Sequence, residues 1–207
     1  MIPHSLHTGQ VTQQIYLIRH GETIWSLSGQ HTGNTDLPLT ENGEQQARHL
    51  IQLLAKIKFT HILTSPMQRA RRTCELAGLG NTARVETNLS EWNYGDYEGR
   101  TAADIHAERP GWKVYRDGCP NGESAEEVSQ RADRVVEILR RLEGTIALFS
   151  HGQFLRALAV RWIGLPIGTG EHFGLDTGSI SILGYEHHQM NAPALSLWNA
   201  SPVHFLA

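Results

Sequence analysis

Three short apolar runs, "IYLIR" (15–19), "HILTS" (61–65) and "TIALFS" (145–150), punctuate this chain, with amphipathic stretches between them. Runs this short and this rich in strand formers read as strands buried on both faces of a parallel sheet. In "LTENGEQQARHLIQLLAKIKF", Ala47, Leu50, Ile51, Leu54 and Ile57 recur at helical spacing. Thr40 is the N-cap there, without a Glu three residues on to complete a capping box. "SPMQRARRTCELAGL" offers Ser65 as N-cap and Pro66 as the first helical residue. Ser124 and Glu127 make a capping box ahead of an inward stripe of Val128, Ala132, Val135, Leu139 and Leu142. A helix "QFLRALAVRWIG" starts directly after His151–Gly152, while "ARVET" (83–87), "SISILGYE" and "ALSLWN" supply further strands. This alternation predicts α/β architecture, a three-layer α/β/α sandwich around a mostly parallel central sheet. Residues 88–122 hold seven glycines and prolines between Gly95 and Gly122. They read as an irregular, lid-like excursion within one domain, 1–207.

At 207 residues and 40% hydrophobic content the chain can bury one sizeable core. A net charge of −3 and a pI near 6.4 argue against a nucleic-acid partner, yet leave room for a local cationic pocket. Cys74 and Cys119 form no CxxC pair and no metal-ligand spacing, and read as two free thiols in a reducing compartment. "MIPHSLHTGQVTQQ" has neither a basic n-region nor an apolar h-region, and reads as a frayed lead-in. No apolar run approaches the ~18 residues of a membrane span. The expectation is a soluble, cytoplasmic protein with no membrane partner. His187–His188 reads as a surface turn.

In sheets of this kind, ligands sit beyond the carboxyl ends of the strands. The first strand exits at Arg19 and His20, and the second leads into a helix carrying Arg69 in its first turn. The third leads into "LSEWNYG", with Glu91, and the fourth ends at His151. Any one of these residues alone reads as a turn or surface position. Five at the same end of a sheet make a convergent site. Two guanidinium forks match a tetrahedral oxyanion such as phosphate. A neutral imidazole is a nucleophile toward phosphorus, and neighbouring cations keep it neutral. A Glu at the rim can protonate a departing alkoxide and then deprotonate water. Fixed Arg and His groups can stabilise the equatorial oxygens, so this chemistry needs no metal. The chain has no Walker A loop, GxSxG elbow or HExxH.

The motif text resembles the histidine phosphatase superfamily, the phosphoglycerate mutase-like proteins. Its hallmark is an RHG triplet ending the first strand, here "LIRHGET". The match continues through "WSLSGQHTGNTDLPLTENGEQQA", "TSPMQRARRTCELAG", "LSEWNYGDYEGRT", "GCPNGES" and "FSHGQFLRALA". The resemblance implies a phosphoglycerate mutase-like fold, a phosphohistidine formed on His20, and Glu91 as proton donor. It implies Arg19 and Arg69 on the phosphoryl group, with His151 completing that pocket. Gly21 and Gly152 would permit close backbone approach. Ser26, Thr32, Gly33, Tyr94 and Gln153 would line the substrate site. Trp92, Asn93 and Ala102 depart from the glycolytic mutases, and the loop text is most similar to the sedoheptulose-bisphosphatase branch. The implied activity is hydrolysis of a small phosphorylated metabolite, a sugar phosphate, with no cofactor and no metal. A cofactor-dependent phosphoglycerate mutase and a non-catalytic phospho-ligand binder are the alternatives. The resemblance also allows a homodimer.

Overall fold

A computed structural model of the protein describes residues 13–201. Most of the expected lead-in lies outside the described residues. The strands are β1 (Gln14–Arg19), β2 (His61–Thr64), β3 (Arg84–Val85), β4 (Thr145–Ser150), β5 (Ile180–Tyr185) and β6 (Pro193–Ala200). They form one sheet in the order β3-β2-β4-β1-β5-β6. The first four in that order run parallel; β5 pairs antiparallel with β1, and β6 antiparallel with β5.

Alternation along the central strands explains the layers. Ile15 and Leu17 of β1, with Ile146 and Leu148 of β4, enter one apolar cluster. Ile18, Ala147 and Phe149 point to the other face and join a second cluster. With a side-chain period of two, both faces of these strands must be covered. The first face is covered by α7 (Ala125–Arg140) and α8 (Gly152–Trp162). The second is covered by α2 (Glu41–His49), α3 (Ile51–Leu54) and α4 (Gln68–Leu76). Two short helices, α5 (Ala102–Glu108) and α6 (Val114–Asp117), lie between β3 and α7, and α1 (Ile24–Ser28) follows β1. Cys74 and Cys119 are unpaired and lie in different clusters, and burial pushes each thiol up to about 12. Among the described residues, no helix is long and apolar enough to cross a membrane.

The helix expected after Thr40 is two helices. Leu50 N–H bonds to Ala47 O and Leu53 N–H to Leu50 O, tightening the turn between α2 and α3. Such i→i+3 bonding shifts the helical phase. Leu50 and Leu54 stay buried, while Ile51 turns outward and is 41% exposed. α4 begins at Gln68, with Met67 as N-cap, rather than at Pro66. α7 keeps the expected Ser124–Glu127 capping box, and its Val128, Ala132, Val135 and Leu139 are buried. The 88–122 stretch is less irregular than its composition suggests. Beyond α5 and α6 it extends the first apolar cluster, with Trp92, Tyr94, Tyr97, Trp112 and Tyr115 all buried in it. Edge-on contacts pair Tyr97 with Trp112 and Trp92 with Tyr115 at 5.2 and 5.3 Å. His187 is exposed in a 3-10 turn, as the surface-turn reading expects.

Candidate active site

The pairing of β1 with β4 fixes the heart of the site. Arg19 stands opposite Ser150, so the next residues, His20 and His151, leave adjacent strands together. The His20 N–H donates to Ser150 O at 3.0 Å, and the two imidazole centroids are 5.2 Å apart. His20 Nδ1 donates to Gly21 O at 2.7 Å, which leaves the lone pair on Nε2. Burial, then the charges of Arg69 and Arg19, hold the His20 pKa well below 6.5. His20 is therefore a neutral imidazole at neutral pH.

His151 has the opposite tautomer. Arg69 Nε–H donates to His151 Nδ1 at 3.1 Å, so the ring proton sits on Nε2, 2.7 Å from Ser65 Oγ. Burial and Arg69 also push the His151 pKa well below its usual value. Arg69 is completely buried. Its Nη1 donates to Thr35 O at 2.9 Å, and its Nη2 to Gly33 O at 2.9 Å and Thr32 O at 3.4 Å. One guanidinium thus orients His151 and ties down the loop that follows α1.

Glu91 reaches the site from the loop after β3. Its Oε1 accepts from Trp92 and Phe154 N–H at 2.9 and 2.8 Å, and its Oε2 from Gln153 N–H at 3.0 Å. The carboxylate therefore sits on the N-terminus of α8, where backbone N–H groups are otherwise unpaired. Arg131 braces the loop from behind, donating to the carbonyls of Asn88, Ser90 and Glu91. Glu123 pairs with Arg131 at 2.8 Å.

These elements open on a cleft of about 220 Å³. Arg19, His20, Ser26, Thr32, Glu91, Tyr94, Gly152 and Gln153 line it. Gly21, Gly33, Arg69 and His151 do not, and stand behind the wall. Arg19 Nη1 donates to Leu175 O, and its buried Nε has no partner among the described residues. The Ser26 hydroxyl is occupied by Thr23 in the capping box of α1. Gly21 packs on α2, where an added Cβ would meet Gly43 O at 2.3 Å. At Gly152 an added Cβ would come within 3.2 Å of the Arg19 guanidinium. Trp92 is fully buried, with its indole N–H on Glu123 O, whereas Trp25 lines the cleft.

Sequence reasoning missed Arg156, Gln30 and His31, which also line the cleft. His31 stacks on Tyr94 at 4.6 Å. Gln30 bridges to Thr101, and His31 N–H donates to Arg100 O, stitching the two pocket loops together. Arg156 lies one helical turn beyond Glu91's partners Gln153 and Phe154, a spacing that places it near the same mouth. Ser65 left no sequence signal beyond that of a helix cap. Among the described residues, no group of three or more His, Cys, Asp or Glu side chains is placed to hold a metal ion.

A mostly parallel α/β sheet with two imidazoles, a guanidinium and a carboxylate converging at its strand exits holds a set of groups suited to phosphoryl transfer. The profile of the histidine phosphatase superfamily (branch 1) matches residues 15–201, and the chain belongs to that family. It is an enzyme of the phosphatase class. An acid phosphatase of Mycobacterium tuberculosis is 41% identical over 193 residues, covering 91% of this chain and 95% of that protein. Sedoheptulose 1,7-bisphosphatase of Saccharomyces cerevisiae is 34% identical over 252 residues, covering 90% and 93%. A solved Mycobacterium tuberculosis structure superposes with a TM-score of 0.86 at 39% identity, covering 92% of this chain and 98% of that one.

Proposed function

We propose that the protein hydrolyses a small phosphorylated metabolite, a sugar phosphate, through a phosphohistidine on His20. The observation that carries this reading is the His20 tautomer. Nδ1–H is fixed on Gly21 O, so Nε2 presents its lone pair in a ring that burial and two arginines keep neutral.

In the first step Nε2 attacks phosphorus and the P–O bond to the alkoxide breaks. The alkoxide takes its proton from Glu91. A carboxylate has about four lone-pair positions, and backbone N–H groups occupy three at Glu91. One remains for exchange with the leaving group. In the second step water attacks the phosphohistidine, gives its proton to Glu91, and inorganic phosphate departs with His20 restored. Arg19 holds the phosphoryl oxygens. Arg69 acts from behind the wall, as a charge near His20 and as the donor that orients His151. For His151 to contact the phosphoryl group directly, its Nε2–H must turn from Ser65 Oγ. The sugar-phosphate class draws support from the sequence likeness to the sedoheptulose bisphosphatase.

The test is chemical trapping. Wild-type protein quenched during turnover should carry acid-labile phosphate on the peptide containing His20, and His20→Ala should carry none. His20→Ala with wild-type phosphatase activity would refute the assignment.

A further inference from the structure

Glu91 must present one free lone pair beside the leaving oxygen, yet it sits in a loop, outside any helix or strand. Two of the three N–H groups on its carboxylate belong to α8, which anchors the far end of the side chain. The near end, the main chain around Glu91, is anchored by a different pair of residues. Arg131 on α7 is buried, and all five of its N–H groups are used. Nη1 donates to Asn88 O at 2.9 Å and Ser90 O at 2.6 Å, and Nη2 to Glu91 O at 3.2 Å. Nε and Nη2 also fork onto Glu123, meeting Oε1 at 2.9 Å and Oε2 at 2.8 Å.

Glu123 reaches the other side of Glu91. Its Oε2 accepts from Asn93 N–H at 2.8 Å, and its own N–H donates to Asn93 O at 2.8 Å. Its carbonyl takes the Trp92 indole N–H at 2.9 Å. One ion pair therefore grips the chain before and after the acid. Ser150 Oγ donates to Leu89 O at 2.7 Å, so every main-chain carbonyl from Asn88 to Glu91 is held by a side chain. The Arg131 guanidinium also lies 4.4 Å from the centre of the Phe154 ring, and Phe154 N–H is a donor to the Glu91 carboxylate. Main chain and carboxylate thus bear on one guanidinium. Stability alone does not ask for this arrangement. Desolvation offsets most of the attraction in a buried ion pair, and apolar residues of like volume often serve as well. What a fork with every donor filled supplies is fixed geometry.

We propose that Arg131 and Glu123 are positioning residues for proton transfer, a clamp that holds Glu91 in the one orientation where its free lone pair meets the leaving oxygen. This rests on the phosphatase reading, with Glu91 as its proton donor. Neither member of the pair lines the cleft, so the clamp acts only through Glu91. It matters most for leaving groups that depart as strong bases, because their departure depends on the proton.

The test compares kcat/KM for phenyl phosphate and p-nitrophenyl phosphate, two esters of similar shape whose leaving oxygens differ in their need for a proton. This quantity covers the steps up to the phosphohistidine, where Glu91 gives its proton. Arg131→Lys keeps the charge but not the fork. It should lower the ratio of phenyl to p-nitrophenyl phosphate by roughly 10-fold, since an ångström of misplacement can cost about 10²-fold. An unfolded fraction lowers both rates alike, so the ratio separates positioning from lost stability. Glu91→Gln should lower the same ratio by at least as much. Adding Arg131→Lys to it should then change the ratio by no more than about twofold, because the group being positioned is gone. If Arg131→Lys does not fold, Glu123→Gln, which keeps the shape of the side chain, carries the test and should lower the ratio by roughly threefold. A folded clamp variant that slows both substrates in equal proportion overturns the positioning role. So does a double variant that shows the full further loss. A Glu91→Gln protein with the wild-type ratio overturns the proton-donor assignment, and the clamp's role with it. A wild type inactive on every phosphate monoester would instead overturn the phosphatase reading itself.

Discussion

Acidification below pH 6.5 probes this site directly, because two buried imidazoles resist the proton. Burial and Arg69 hold the pKa values of His20 and His151 well below 6.5. In the unfolded chain each titrates near 6.5. Between the folded and unfolded values the unfolded state binds more protons, so stability falls as pH falls. Each imidazole that stays neutral in the folded state contributes up to about 1.36 kcal/mol per pH unit to that slope. Two such imidazoles lower stability by on the order of a few kcal/mol as pH falls below 6.5 toward their folded-state values. That is a large part of a typical ~5–15 kcal/mol domain stability. His31, lowered by partial burial, adds a smaller share. Asp117, held at about 2 by Arg116, titrates far below this window.

The assay is urea unfolding followed by tryptophan fluorescence at several pH values, in buffers without phosphate. Trp92 and Trp162 are fully buried and report global unfolding. His20→Gln and His151→Gln should each remove close to half of the slope between pH 6.5 and 5, and the double variant most of it. A double variant with the wild-type slope would refute the argument. The same physics governs rate. An imidazole with pKa 6.5 is about 90% protonated at pH 5.5. Wild-type kcat for p-nitrophenyl phosphate at pH 5.5 should nevertheless stay within about threefold of its value at pH 7. A tenfold fall that follows a pKa of 6.5 would show His20 to be exposed to the proton.

Three further expectations concern the groups around His20. Gly152→Ala puts a Cβ 3.2 Å from the Arg19 guanidinium, so kcat/KM should drop by about tenfold while the thermal midpoint scarcely moves; unchanged kinetics would show that Arg19 is free to yield. Glu91→Gln should lower kcat about 10²-fold or more for alkyl phosphates, and much less for p-nitrophenyl phosphate, whose leaving group scarcely needs a proton. Equal losses on both substrates would count against proton transfer by Glu91. Exhaustive chelation should leave phosphate release intact, because Arg19 and the buried histidines supply the charge stabilisation; activity restored only by added metal would contradict that account.

The layers were legible because the central strands alternate strictly. Ile15, Leu17, Ile146 and Leu148 serve one core cluster, and Ile18, Ala147 and Phe149 the other. Local chemistry also announced α7, whose capping box and stripe are contiguous in sequence. Prediction faltered where tertiary contacts overrode a local signal. Ile51 fits the helical period, yet the tight turn at Leu50 rotates it outward. The glycines and prolines of 88–122 suggested an irregular excursion, but its aromatic residues pack on one another and on His31.

The same distinction separates residues by how the site uses them. His20, Glu91 and Arg19 face the cleft from strand exits, and a strand exit can be read from sequence. Arg69, Ser65 and Arg131 act through other groups. Arg69 spends its fork on His151 and on the carbonyls of Thr32, Gly33 and Thr35, so its guanidinium doubles as a structural knot. Arg131 sits on a helix whose polar residues look like a solvated face, yet it is buried against the carbonyls that carry Glu91. Most partners of Arg69 and Arg131 are backbone atoms, and backbone atoms leave no residue-type signature in a sequence. A pattern reading therefore recovers groups that meet the ligand at strand exits. It misses the roles that set a tautomer or hold a loop, even at Arg69, which stands out as a site residue, because the partners become neighbours only in the folded chain. Ser65 illustrates the point: one hydroxyl receives the Met67 N–H ahead of α4 and also meets the His151 ring proton. Its position before Pro66 announces only the helix.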